Sequence, residues 1–224
     1  MKRQRTLTAC VALVAASVLV AGCGGDDEKS DKADEGKIAG TETTAPAKPS
    51  PTASEAAGEE DGPDLSLPKD VKVLLDWTAP KGAQEAAVLR DAGRFMVGLN
   101  RAMALQDEKD PAYLLYSYPG TNARKVAQDT VKDQIKAHMG VTGEERLHSP
   151  DVNIVHKESA AVVSFCADDS HFYSKDLKTG RTLRTTPSAD DHTRYEFGMA
   201  SVDKSGTRWV TKEIRAQGSA TECQ

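Results

Sequence analysis

Residues 164–171 read SFCADDSH, which puts a cysteine, two aspartates, a serine and a histidine within eight positions of a 224-residue chain. These residue types build metal centres and nucleophilic sites, but the spacing suits neither. Zinc is held by His and Cys at short intervals, and the chain has no C-x-x-C and no H-x-x-x-H. A calcium loop alternates Asp and Asn around a glycine, and neither Asp168-Asp169 nor Asp190-Asp191 continues into that pattern. No metal and no cofactor is therefore expected. A triad of Asp168, Ser170 and His171 fails because neighbours along a strand point to opposite faces. There is also no G-x-S-x-G elbow to present the serine.

Secondary structure must position whatever chemistry remains. Residues 82–107 carry Val88, Ala92, Phe95, Leu99, Ala102 and Met103 at spacings of three and four, the period of an amphipathic helix. Arg90, Asp91, Arg94 and Asn100 supply its polar side. The helix is expected to stop at DEKDP, where Asp110 can cap a short following helix with Pro111 at its first position. Asn122 to Met139 reads as a second long helix with a stripe of Val126, Thr130, Val131 and Ile135, ended by Gly140. The texture then changes. Residues 152–157, 159–167, 171–177, 193–202 and 207–216 are rich in Val, Thr and aromatics and read as strands. Turns are expected at Lys178-Thr179-Gly180 and at residues 203–206. Residues 65–80 read as an edge strand or an extended lead-in. Helices followed by a run of strands predict an α+β domain with helices packed on one face of an antiparallel sheet.

The chain opens with three basic residues, Lys2, Arg3 and Arg5, and an uncharged apolar run over residues 6–22, the layout of an export signal. Val20-Ala21-Gly22-Cys23 resembles the lipobox of bacterial lipoproteins. The resemblance implies cleavage after residue 22 and a diacylglycerol on Cys23, hence a chain anchored to the extracytoplasmic face of the cell membrane. The other reading is an ordinary secretory signal with an incidental cysteine. Residues 24–64 hold no aromatic residue and one large aliphatic, Ile38, a composition expected to stay disordered. Residues 23–64 thus read as lipidated cysteine and tether, reaching roughly 35 Å as a random coil. The net charge of −5 divides into +3 for the signal, −8 for residues 24–64 and zero for residues 65–224. A neutral domain has no basic footprint for nucleic acid.

Of the four cysteines, Cys10 would leave with the signal and Cys23 would be lipidated. Cys166 and Cys223 then form an even pair in an oxidising compartment, which predicts a disulfide pinning the C-terminal end to a strand.

The element order resembles the nuclear-transport-factor-2-like fold, also called cystatin-like or ketosteroid-isomerase-like. More closely it resembles uncharacterised actinobacterial lipoproteins with such a domain. The pieces that carry this are Asp110-Pro111, the C-x-D-x-S of Cys166, Asp168 and Ser170, Thr179-Gly180, and GTRWV at residues 206–210 before Cys223. The resemblance spans residues 80–224 and implies a curved sheet wrapped around helices to leave a conical cavity. Phe95, Tyr113, Phe165, Tyr195, Phe197 and Trp209 are candidates to line that cavity, or to be plain core. Isomerases of this fold pair a carboxylate base with an acidic or phenolic donor, and Tyr113, Tyr116, Asp168, His171 and Tyr195 are the candidates here. None aligns with a catalytic motif, and the expected strands hold no isolated carboxylate on an apolar face. The expectation is a non-catalytic module, with no catalytic residue assigned, that binds a small apolar ligand or an envelope protein, with a homodimer through the sheet as an option. An isomerase-like or hydrolase-like enzyme is the alternative. The point left open is whether Asp168 or Asp169 points inward.

Overall fold

The computed structural model describes residues 62–157, 159–203 and 205–224. The export signal, Cys23 and nearly all of the tether lie outside the described residues. Alternating Val71, Val73 and Leu75 form β1 (Val71–Asp76). The apolar stripe of residues 82–107 forms α1 (Ala83–Leu105), which ends where Gln106 takes a left-handed conformation at φ 57°. Asp110 caps α2 (Pro111–Leu115) by accepting from the Ala112 amide at 2.8 Å, with Pro111 at the first helical position. Next comes α3 (Asn122–Ala137), which buries Ala123, Ala127 and Val131 at intervals of four while Val126 stays exposed. Its end is set by His138 at φ 56° and not by Gly140, which already lies in the following strand.

That strand, β2 (Met139–His156), pairs with β3 (Ala160–Asp176). The two-residue β4 (Thr182–Leu183) folds back on the end of β3 as a ribbon, with Gly180 at φ 73° in the turn. After them come β5 (His192–Ser201) and β6 (Trp209–Gly218). The sheet order is β1-β2-β3-β5-β6, with every pair antiparallel except β1 with β2. The result is a mixed α+β architecture with an open, curved, six-stranded sheet and three helices. Among the described residues no helix is long and apolar enough to cross a membrane.

Two strands run longer than their composition suggests. β2 starts thirteen residues before the expected position, through VTGEERLHSPD, where Gly, Glu, Ser and Pro are poor strand formers. Pairing on both sides decides the matter: β1 covers one edge from Gly143 to His148, and β3 covers the other. β3 in turn continues through ADDSH, so the two strands expected at 159–167 and 171–177 are one unbroken strand with a bulge between them.

The core sits between α1 and the sheet. Phe95 of α1 meets Phe197 edge-on at 5.6 Å, Phe165 meets Phe197 at 5.0 Å, and Trp77 meets Phe165 at 5.7 Å. Such edge-to-face pairs add about 1 kcal/mol each beyond the area they bury. At Gly98 the helices α1 and α2 touch backbone to backbone: a Cβ there would lie 2.6 Å from the Tyr113 nitrogen.

The expected polar side of α1 is buried. Asp91 is fully enclosed, and Arg94 and Asn100 are nearly so. Asp91 accepts from Arg90 at 2.8 Å, from Arg94 at 3.4 Å and from the Trp209 backbone amide at 2.8 Å, tying the helix to the start of β6.

Candidate functional site

Cys166 and Cys223 form a disulfide, with Cα atoms 5.4 Å apart and a sequence separation of 57. Both cysteines are buried together with Ala220. The bridge fastens the chain end to the middle of β3.

The aromatic candidates divide. Phe95, Tyr113, Phe165, Phe197 and Trp209 are fully buried. The Trp209 indole nitrogen donates to the Gly206 carbonyl, and the Tyr113 hydroxyl donates to the Glu108 carbonyl. Tyr195 differs: it keeps part of its surface accessible and leans on Phe165 and Phe197 from the rim of the cluster, at 5.6 and 5.8 Å. Tyr116 lies under the Arg94 guanidinium at 5.9 Å. Asp168 accepts from the Ser170 amide at 2.9 Å, a local turn within its own bulge. His171 is exposed. The Asp190-Asp191 pair serves the chain locally as well: Asp191 accepts from the Ser188 amide and Asp190 from the Ser219 hydroxyl, both at 2.6 Å. Among the described residues no group of three or more His, Cys, Asp or Glu is placed to hold a metal ion.

What sequence reading missed is Glu145. It lies in the part of β2 that did not look like a strand, flanked by Glu144 and Arg146 as if in a solvated run. In the fold, side chains alternate across β2, so Glu145 and Leu147 are buried while Arg146 is exposed and pairs with Asp76. The strands therefore do carry a carboxylate on an apolar face, contrary to expectation. Asn100 of α1 reaches it, donating from Nδ2 to Glu145 Oε2 at 2.6 Å and to the Met96 carbonyl at 3.2 Å. One available signal was the place of Asn100 in α1, four residues after Met96 and three before Met103, within the apolar stripe.

The bulge in β3 completes the cluster. Glu144 pairs with His171 and Arg146 with Asp168, so Asp169 and Ser170 together stand opposite Glu145. Asp169 is thus the aspartate that points inward, and Asp168 keeps to its turn. Burial pushes the Glu145 carboxyl well above the usual range, and the nearby Asp169 charge pushes it further, against the Asn100 hydrogen bond. Burial and the charges of Asp168 and Asp191 raise Asp169 from 3.8 to about 6, with His192 opposing. Burial, then Glu145 and Asp169, raise the Tyr195 phenol. No ion pair to Glu145 occurs among the described residues. The buried oxygens Asn100 Oδ1 and Asp169 Oδ1 accept no hydrogen bond.

This electrostatics has a measurable consequence. The folded chain holds protons on Glu145 and Asp169 to higher pH than the unfolded chain does. Between the ordinary carboxylate range and the raised values the folded state binds more protons, so stability falls as pH rises through that window. The Asp169 shift alone, from 3.8 to about 6, is worth on the order of 3 kcal/mol. Glu145→Gln should therefore gain stability on the native chain as pH rises through that window. Urea unfolding of both proteins at a series of pH values measures the difference. Taking the difference cancels carboxylates such as Asp70 and Asp176, which are lowered by hydrogen bonds and favour folding above their ordinary range.

Away from this cluster, a concavity of about 340 Å³ lies across Asp70, Lys72, Thr142, His171, Tyr173 and Arg184. Two of its charges are engaged: Asp70 pairs with Lys175 at 2.8 Å, and Arg184 stacks on Tyr173 at 5.1 Å. It lacks the unsatisfied buried groups of the Glu145 cluster.

No family model matches the chain, and no curated protein matches it. Among solved structures, the intermembrane space region of the chloroplast protein ARC6 is similar at a TM-score of 0.37 and 12% identity, over 58% of this chain and 95% of that one. A likeness at that level bears on neither fold family nor chemistry.

Proposed function

We propose that the protein is a lipid-anchored extracytoplasmic binding module whose ligand site is the Glu145–Asp169–Asn100–Tyr195 cluster. In this reading Cys23 carries the lipid, residues 24–64 form the tether, and the domain is a nuclear-transport-factor-2-like cone. The observation that carries the ligand site is Glu145: a buried carboxylate with no cationic partner, beside a second carboxylate. Burying such a group costs several kcal/mol unless it is paired. A fold selected for stability alone would place an apolar residue there, and local rules are broken most often at functional positions. The close aromatic packing of Phe95, Phe165 and Phe197 supports siting the ligand at this polar end and not within the aromatic interior.

The stability experiment above tests the site. If Glu145 serves a ligand, Glu145→Gln stabilises the free protein at pH 8; a loss of stability would make Glu145 a structural residue and overturn the reading. Anchoring has its own test. Cys23→Ala should move the protein from the membrane fraction to the soluble fraction, and unchanged fractionation contradicts the lipid anchor.

A second reading, a small acid–base enzyme, is supported by the raised proton affinities of Glu145 and Asp169, since raised carboxyls serve as general acids. Turnover at Glu145, abolished by Glu145→Gln, would favour it over simple binding.

A further inference from the structure

We infer that the Glu145 cluster is a binding site for a primary ammonium group on a short alkyl chain, an inference that rests on the ligand-site reading above. An ammonium carries three N–H donors and no acceptor. The cluster offers the complement. Asp169 Oδ1 and Asn100 Oδ1 are buried acceptors that receive no hydrogen bond, and the Glu145 carboxylate receives one from the Asn100 amide. Asn100 is 2% exposed, and its Nδ2 is held on Glu145, so its free carbonyl oxygen lies at the same carboxylate. Oxygens from α1, β2 and β3 thus face a shortage of donors: the Glu145 carboxyl has the Asn100 amide, and Asn100 Oδ1 and Asp169 Oδ1 have none. No lysine, arginine or histidine forms an ion pair with Glu145 among the described residues, so the positive charge is left for a ligand to bring.

The route of entry follows from burial. Glu145 and Asn100 are enclosed, whereas Asp169 and Tyr195 are only partly covered. A ligand would pass Asp169 and the Tyr195 ring to reach Glu145. The Tyr195 ring, tilted against Phe165, would offer an aromatic face to the cation and an apolar wall to its alkyl chain. Asp168 and Asp191 stand near Asp169 and add negative potential at the mouth, which raises the local concentration of cations. A divalent metal ion fits the same oxygens less well. Calcium takes six to eight oxygen ligands and magnesium demands a near-octahedral set. Here two carboxylates, one amide and one phenol are available. Paired with Glu145 and Asp169, a bound ammonium turns two costly buried carboxyls into a satisfied network.

The test uses the full chain without its export signal, with Cys166 and Cys223 oxidised, at pH 7.5. n-Butylammonium is titrated to about 10 mM, a range that detects affinities near the millimolar level, while the Asn100 side-chain amide and Glu145 backbone resonances are followed by NMR. The expected result is saturable binding that shifts both resonances and is weakened at least tenfold by Glu145→Gln and, as a second variant nearer the surface, by Asp169→Asn. Butyltrimethylammonium, which has the charge but no N–H donors, should bind at least tenfold more weakly. Nα-acetyl-lysine amide binding as well as n-butylammonium points to a lysine side chain of a protein as the source; failure of this larger probe alone points to a free small amine, and either agrees with the inference. The inference is overturned if n-butylammonium does not saturate, if the trimethyl analogue binds equally, or if calcium or magnesium displaces the amine at equal concentration. If amine binding fails while Glu145→Gln still stabilises the protein at pH 8, the ammonium assignment falls and the ligand-site reading stands. If Glu145→Gln destabilises the protein, both fall.

Discussion

Asp91→Ala should cost the domain about 3–5 kcal/mol, the range for removing one partner of a buried ion pair. Asp91 is fully enclosed and accepts from three donors on two elements: the side chains of Arg90 and Arg94 in α1, and the backbone amide of Trp209 at the start of β6. Alanine would leave the Trp209 N–H buried without this acceptor and the Arg94 guanidinium, itself only 9% exposed, without its carboxylate. Trp209 follows the hairpin between β5 and β6, so the loss should loosen that hairpin first. The midpoint of urea unfolding measures the total. Hydrogen exchange at the Trp209 amide should rise ahead of global unfolding. A change below about 1 kcal/mol, the scale of an exposed ion pair, would mean that the contact is superficial.

Removal of the Cys166–Cys223 bridge, as Cys166→Ala with Cys223→Ala, carries an effect of similar size. The bridge closes a loop of 57 residues in sequence separation, which chain-entropy arithmetic values at about 4 kcal/mol. The loop holds the second half of β3, β4, β5 and β6, so the crosslink restrains most of the sheet in the unfolded state. Ala220 and the short turn at Thr221–Cys223 pack on Cys166, and that contact is lost as well. The double variant should unfold at markedly lower urea while keeping the native far-ultraviolet circular dichroism at low denaturant. Equal stability of the bridged and unbridged proteins would show that the chain end contributes nothing.

The two effects touch different parts of the sequence, and those parts were legible to different degrees. Val88, Ala92 and Phe95 announced α1 by their period, and Asp110-Pro111 announced both the stop and the next start. The cysteine pair was readable by elimination. What could not be read was how far β2 and β3 extend, because that depends on pairing partners distant in sequence. VTGEERLHSPD has little strand propensity; it is strand because β1 and β3 flank it. The same effect hid the site. Glu145 looks solvated between Glu144 and Arg146, and only the alternation of a strand at that position turns it inward. Asp91, Arg94 and Asn100 looked like the wet face of a helix, yet Asp91 and Asn100 meet strands of the sheet and Arg94 lies over Tyr116. A helix with tertiary contacts on more than one face buries polar residues that a single-stripe reading assigns to water. SFCADDSH held one residue of the site, Asp169. Its register depended on a bulge, and no local pattern marks a bulge of this kind.

The central claim is that Glu145 is a buried acid with no ion-pair partner, set beside a second, partly covered acid, Asp169. Carbon-13 NMR of the Glu and Asp side-chain carboxyls, recorded from pH 3 to pH 9, measures this directly. The account predicts that Asp169 titrates near pH 6 and Glu145 well above the ordinary range, the two responding to one another as coupled sites. If both carboxyls titrate near pH 4, as exposed carboxylates do, Glu145 is solvated or paired, and the candidate site does not exist.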